Sequence, residues 1–166
     1  QQAALVGRAG FGVRDGKCTY GTGSFSLGNT GKTLQRSESG LLSTVAWQAP
    51  EGSLTYALEG AIFVTGAAIQ WLRDGLQIIG SAAETAAIAG TVSDSQGVVF
   101  VPALTGLGAP HWDPQARGSI HGIPRVTTSA HLLRAALQPL CLAVRAVFDH
   151  TAPPPPAPRP QCRADA

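Results

Sequence analysis

The spacing of apolar residues changes near Ala61, and that change limits the folds open to the chain. Before it, apolar and β-branched residues come in short runs cut by glycine: "CTYGTGSFSLGNTG", a polar connection "KTLQRSES", then "LLSTVAW" and "LTYALEG". Runs of this length between turn residues are strand signals, and four in succession predict an antiparallel meander. After it, Ile62, Ala67, Ile69, Leu72, Leu76 and Ile79 approximate a helical stripe, with Arg73 and Asp74 opposite and Gly80 as a stop. A shorter helix over 82–92 and a buried strand in "VVFVPAL" should follow. Strands, then helix, strand and helix, make the expected class α/β.

The stretch "SFSLGNTGKT" ends in Gly31-Lys32-Thr33, the ending of a phosphate-binding P-loop. That loop needs glycine five positions before Gly31, where Ser26 stands, and a helix directly afterwards, where "KTLQRSESG" has no apolar stripe. A hairpin turn is the better reading. Further on, "TGLGAPHWDPQARGSIHGIP" is too long and too rich in Gly and Pro to be a simple connection. An ion pair between Asp113 and Arg117 is expected to hold it. Residues 127–129 should cap a helix running to about 149, with Pro139 kinking or ending it. From Thr151 the sequence "TAPPPPAPRPQCRADA" suits polyproline II and no core, so the division expected is a domain over 1–150 and a disordered tail over 151–166.

With 44% hydrophobic and 13% charged residues among 166, the chain has the material for one packed domain. Net charge is +2 and the basic residues are scattered, which argues against a nucleic-acid face. Cys18, Cys141 and Cys162 are far apart, and His111, His121, His131 and His150 sit at no ligand spacing, so no metal site is expected. No apolar run nears the roughly 20 residues that span a bilayer, and a cytoplasmic protein with no membrane partner is expected. The chain opens at Gln1 and contains no methionine, which suggests a processed start or a piece of a longer protein.

Taken in order, "TYGTGSF", "NTG", "GLLSTVAW", "YALEGAIFVTGAAIQWLRDGL", "GVVFVPALTGLGAPHWDPQARG" and "HLLRAAL" resemble the FGGY family of carbohydrate kinases over about residues 1–138. The resemblance implies part of an actin-like, ribonuclease-H-like ATPase domain, at the start of the family's second domain. It implies transfer of the γ-phosphoryl group of ATP, with Mg2+, to glycerol. It assigns Gly21, Thr22 and Gly23 to the nucleotide phosphates, Gly66 and Gln70 to other parts of ATP, and Gln1 and Phe25 to glycerol. No catalytic residue falls within the chain, because the family's aspartate base directly precedes the position of Gln1. The family's first domain and adenosine loop also lie outside the matched residues, so the 166-residue polypeptide alone is expected to be inactive. The resemblance leaves room for a homo-oligomer in the full-length enzyme. Alternatives are another FGGY kinase acting on a different polyol or sugar, and a truncated, non-catalytic paralogue that binds nucleotide or a partner.

Overall fold

The computed structural model of the protein describes residues 1–151 and 161–164. A short helix α1 (Gln2–Gly7) leads into strands β1 (Gly16–Tyr20), β2 (Ser24–Gly31), β3 (Leu42–Gln48) and β4 (Leu54–Ile62). Helix α2 (Gly66–Asp74), a 3-10 turn (Ala82–Glu84), α3 (Thr85–Ala89), β5 (Val99–Val101), β6 (Ser119–His121), the long helix α4 (Ser129–Thr151) and β7 (Gln161–Ala164) complete the order. The class is α/β, as the change of period implies.

The first four strands are antiparallel, but the sheet runs β3-β4-β2-β1-β7 rather than in the chain order of a simple meander. Strand β2 pairs with β4, and the polar connection after Gly31 carries the chain past β4 to the edge, where β3 pairs back onto it. Ten residues of connection make that excursion cheap in loop-closure entropy, and the glycine runs alone do not reveal it.

Strand alternation divides the sheet into two faces. One carries Cys18, Leu58 and Ile62, which pack with Val144 and Val147 of α4. The other carries Leu27 and Ala57, which pack with Leu5 of α1. A third cluster, Ala68, Leu72, Val98, Phe100, Leu133 and Ala136 among its members, joins α2, α3, β5 and α4 beyond the sheet.

Several boundaries differ from the sequence expectation. The stripe beginning at Ile62 divides, since Ile62 ends β4 and α2 stops at Asp74 rather than near Gly80. Gly75 caps it, and Gln77 at φ 54° turns the chain away. The helix expected over 82–92 is a 3-10 turn followed by five α residues. In "VVFVPAL" only Val99–Val101 form a strand, with Phe100 inward and Val99 outward. Helix α4 runs through Pro139 without ending. By length and hydropathy α4 could cross a bilayer, yet Leu133, Ala136 and Val147 on it are fully buried against the sheet and its neighbours.

Of the proposed tail, residues 152–160 and 165–166 lie outside the described residues. Gln161–Ala164 do not behave as an unstructured end: they pair in parallel with β1, from Lys17 opposite Gln161 to Tyr20 opposite Ala164. The free edge of β1 offers a row of unpaired peptide groups, and those four residues fill it.

Candidate functional site

Gly31-Lys32-Thr33 is no phosphate loop. Gly31 ends β2 at φ +79°, Lys32 is exposed, and the next helix along the chain does not begin until Gly66. Nor is it a hairpin turn, because β2 pairs with β1 and β4 and not with β3.

The turn between β1 and β2, Gly21-Thr22-Gly23, is different. Its three carbonyls are all engaged from within the protein. Gly21 O accepts from Gly66 N at 2.9 Å and from Thr65 Oγ1 at 3.0 Å. Thr22 O accepts from Thr65 N at 2.9 Å and Ala67 N at 3.0 Å, and Gly23 O accepts from Gly21 N at 2.9 Å. The amides that open α2, which would otherwise lack partners, are therefore spent on this turn. Among the described residues the amides of Thr22 and Gly23 make no hydrogen bond. Engaged acceptors beside unengaged donors make a turn suited to an anion.

Space explains two of the three assigned glycines. A Cβ on Gly23 would stand 2.5 Å from Ile62 O, and one on Gly66 would stand 2.6 Å from Gly21 O. Gly21 itself would carry a Cβ without a clash, its nearest atom being 3.7 Å away. Gly66 thus brings α2 against the turn. Gln70 lies one helical turn along α2, exposed, on the same side. Thr65 and Ser24, which the sequence reading passed over, support this corner: both are buried, and their hydroxyls bond at 3.0 Å.

Gln1 and Phe25 are connected indirectly, through residues that the sequence reading did not single out. Phe25 is half-buried on β2 opposite Thr19 of β1. Thr19 Oγ1 accepts from Lys17 Nζ at 2.7 Å, and the same ammonium donates to Gln1 Oε1. Lys17, Thr19, Phe25 and Leu27 occupy one face of the sheet by register. Gln1 is not a frayed end, since its carbonyl also accepts from Leu5 N at 3.2 Å. Lys17 is 1% exposed, and burial holds its pKa below the ordinary 10.5, against the pull of Cys18 and Glu59. The only sequence signal for it was a lysine alternating with threonine in a short strand.

The long loop after β5 closes over the end of β4. Ala109 N donates to Ala61 O at 2.8 Å, and a Cβ on Gly108 would fall 2.1 Å from the same oxygen. The Trp112 indole donates to Gly40 O and its ring meets Phe63 edge-on at 6.0 Å. Asp113 and Arg117 do not pair among the described residues. Asp113 instead accepts from the amides of Gln115 at 2.8 Å and Ala116 at 3.1 Å, and Arg117 donates to the carbonyls of Pro114 at 2.9 Å and Ala116 at 2.8 Å. Backbone groups lay closer to each side chain than the two lay to one another, so the loop is held by two local clasps. Among the described residues no three His, Cys, Asp or Glu side chains converge as metal ligands.

The FGGY family of carbohydrate kinases, C-terminal domain, matches residues 16–153. A glycerol kinase of Bdellovibrio bacteriovorus is 56% identical over 142 residues, 86% of this chain and 29% of that protein. The crystal structure of Plasmodium falciparum glycerol kinase with ADP superposes with a TM-score of 0.82 at 37% identity, over 90% of this chain and 30% of that one. A ligand-bound xylulose kinase from Lactobacillus acidophilus superposes with a TM-score of 0.73 at 20% identity, over 89% and 29%, a likeness of fold. The chain therefore spans under a third of the length of such relatives.

Proposed function

The chain belongs to the FGGY family of carbohydrate kinases, as part of its actin-like C-terminal domain, and from that premise we propose that it is the phosphate-facing segment of an ATP-dependent glycerol kinase. The complete enzyme would move the γ-phosphoryl group of ATP to a terminal hydroxyl of glycerol, giving sn-glycerol 3-phosphate. The observation that carries the reading is the Gly21–Thr22–Gly23 turn, whose carbonyls are all occupied and whose Thr22 and Gly23 amides are not. Phosphoryl transfer asks a protein chiefly for positioning and for stabilisation of charge on oxygen. Two unengaged amides and the rotatable Thr22 hydroxyl supply donors for that task.

In this reading Gly66 keeps α2 against the turn, and Gln70 meets the nucleotide from the next helical turn. Gln1 bonds glycerol hydroxyls and Phe25 faces its carbon side. The proton acceptor is the residue preceding Gln1's position in the family. Among the described residues no three His, Cys, Asp or Glu side chains converge, and in this reading Mg2+ would arrive on the nucleotide's phosphate oxygens. Glycerol is favoured over a pentulose by the 56% identity to a glycerol kinase. The enzyme would work in the cytoplasm, where its two substrates are found.

The test is glycerol-dependent formation of ADP from Mg-ATP by the native gene product, alongside calorimetric titration with Mg-ADP. Turnover with glycerol and saturable Mg-ADP binding are expected. Binding without glycerol turnover would move the activity to another substrate, and failure to bind Mg-ADP would remove the kinase reading.

A further inference from the structure

This inference rests on the glycerol kinase reading, in which Gln1 meets a hydroxyl of the substrate. A glutamine amide has an accepting end, Oε1, and a donating end, Nε2, and a half-turn of its last torsion exchanges them. An ammonium, by contrast, has three donors and no acceptor. Lys17 Nζ, buried in the sheet, lies against Gln1 Oε1 and, at 2.7 Å, against Thr19 Oγ1. Beside that ammonium the amide has one favourable orientation, oxygen toward lysine and nitrogen away. Nε2 of Gln1 has no hydrogen-bond partner among the described residues.

We propose that Lys17 is a positioning residue that locks the Gln1 amide with its N–H donors facing the polyol, so that the site reads a substrate hydroxyl through its oxygen. For packing alone, an apolar side chain of equal length would serve this position at less cost than a buried cation. Glu59 stands two strands away along the same row of the sheet face, with Lys17 opposite Leu27 and Leu27 opposite Glu59, and offsets only part of the cost of burying the charge. Thr19, the second acceptor, stands opposite Phe25. One ammonium therefore ties together the polar and the apolar halves of the polyol site.

Two variants of the native gene product test this. Lys17→Met keeps length and volume and removes the donors; the KM for glycerol should rise about tenfold or more, the loss of a charge-assisted hydrogen bond, while the KM for Mg-ATP changes less than twofold. Gln1→Glu keeps an acceptor for Lys17 and removes the outward donor, so glycerol affinity should fall by a similar factor with no loss of melting temperature. A lysine that served only the fold would shift both KM values and the melting temperature together in Lys17→Met, and an unchanged glycerol KM in Gln1→Glu would show that the donor end of the amide is not the one that meets the polyol. Either result overturns the proposal, and if Lys17→Met does not fold, Gln1→Glu decides. A wild-type protein that phosphorylates no polyol defeats the kinase reading itself, a failure visible before any variant is made.

Discussion

At Gly66 one hydrogen atom in place of a methyl group sets how closely α2 can approach the Gly21–Thr22–Gly23 turn. With a Cβ falling 2.6 Å from Gly21 O, Gly66→Ala must push helix and turn apart and stretch the bonds from Gly66 N and Ala67 N. A destabilisation of about 1–3 kcal/mol is expected from such overpacking, read as a lower denaturation midpoint together with weaker Mg-ADP binding. Gly7→Ala, with nothing within 4 Å of the added carbon, is the control and should be neutral. Lys17 supplies a second test at this scale. Burial lowers its pKa in the folded chain and Arg8 adds to the depression, while Cys18 and Glu59 oppose it. The unfolded chain then holds the proton over a pH interval in which the folded chain has begun to release it. Where the unfolded state binds more protons, stability rises with pH. The stability of the wild type relative to Lys17→Met should therefore rise as pH approaches 10.5 from below, measured by urea denaturation across that interval.

Helix α4 shows what an element tolerates when its partners fix it. Pro139 has no amide to donate one turn back, and its ring crowds that turn, a combination that costs an isolated helix about 3 kcal/mol. Here Ala135 and Ala136 before it and Val144 and Val147 after it are all buried, so packing holds both halves in line. Pro139→Ala should stabilise the chain, by about 1 kcal/mol or more, since it restores the donor at little packing cost; chemical denaturation would register the gain. The elements themselves were largely legible in the sequence. Strand runs cut by glycine gave β1 to β4, the helical period gave α2, and the capping residues 127–129 gave α4, because these patterns are local. The sheet order was not legible, since nothing in "KTLQRSES" records that the chain must pass β4 before pairing. Gly21, Thr22 and Gly23 could be named from the motif, but the spent carbonyls that give the turn its sign depend on Thr65, Gly66 and Ala67, more than forty positions later. Lys17 was hidden for a similar reason: its burial comes from α1 and β2 closing over it, and a lysine in a strand usually signals a wet face.

For the molecule as a whole, the two edges of the main sheet are treated differently. Strand β3 ends one side with Leu42 and Val45 exposed, while β7 covers β1 on the other. A polypeptide ending at residue 151 would uncover the outer edge of β1, and concentration-dependent self-association should appear in sedimentation velocity that the 166-residue chain shows less of. The order β3-β4-β2-β1 also carries a kinetic consequence. The β1–β2 and β3–β4 hairpins are each local and can form early, whereas β2 meets β4 only after a longer loop has closed, a slower event for the same stability. The Gly21 and Thr22 carbonyls are engaged only once residues 65–67 have docked, so under the proposed reading a newly made chain would have no anion site until that late closure. A nucleotide would then bind the finished corner alone, and by mass action would hold folded chains folded.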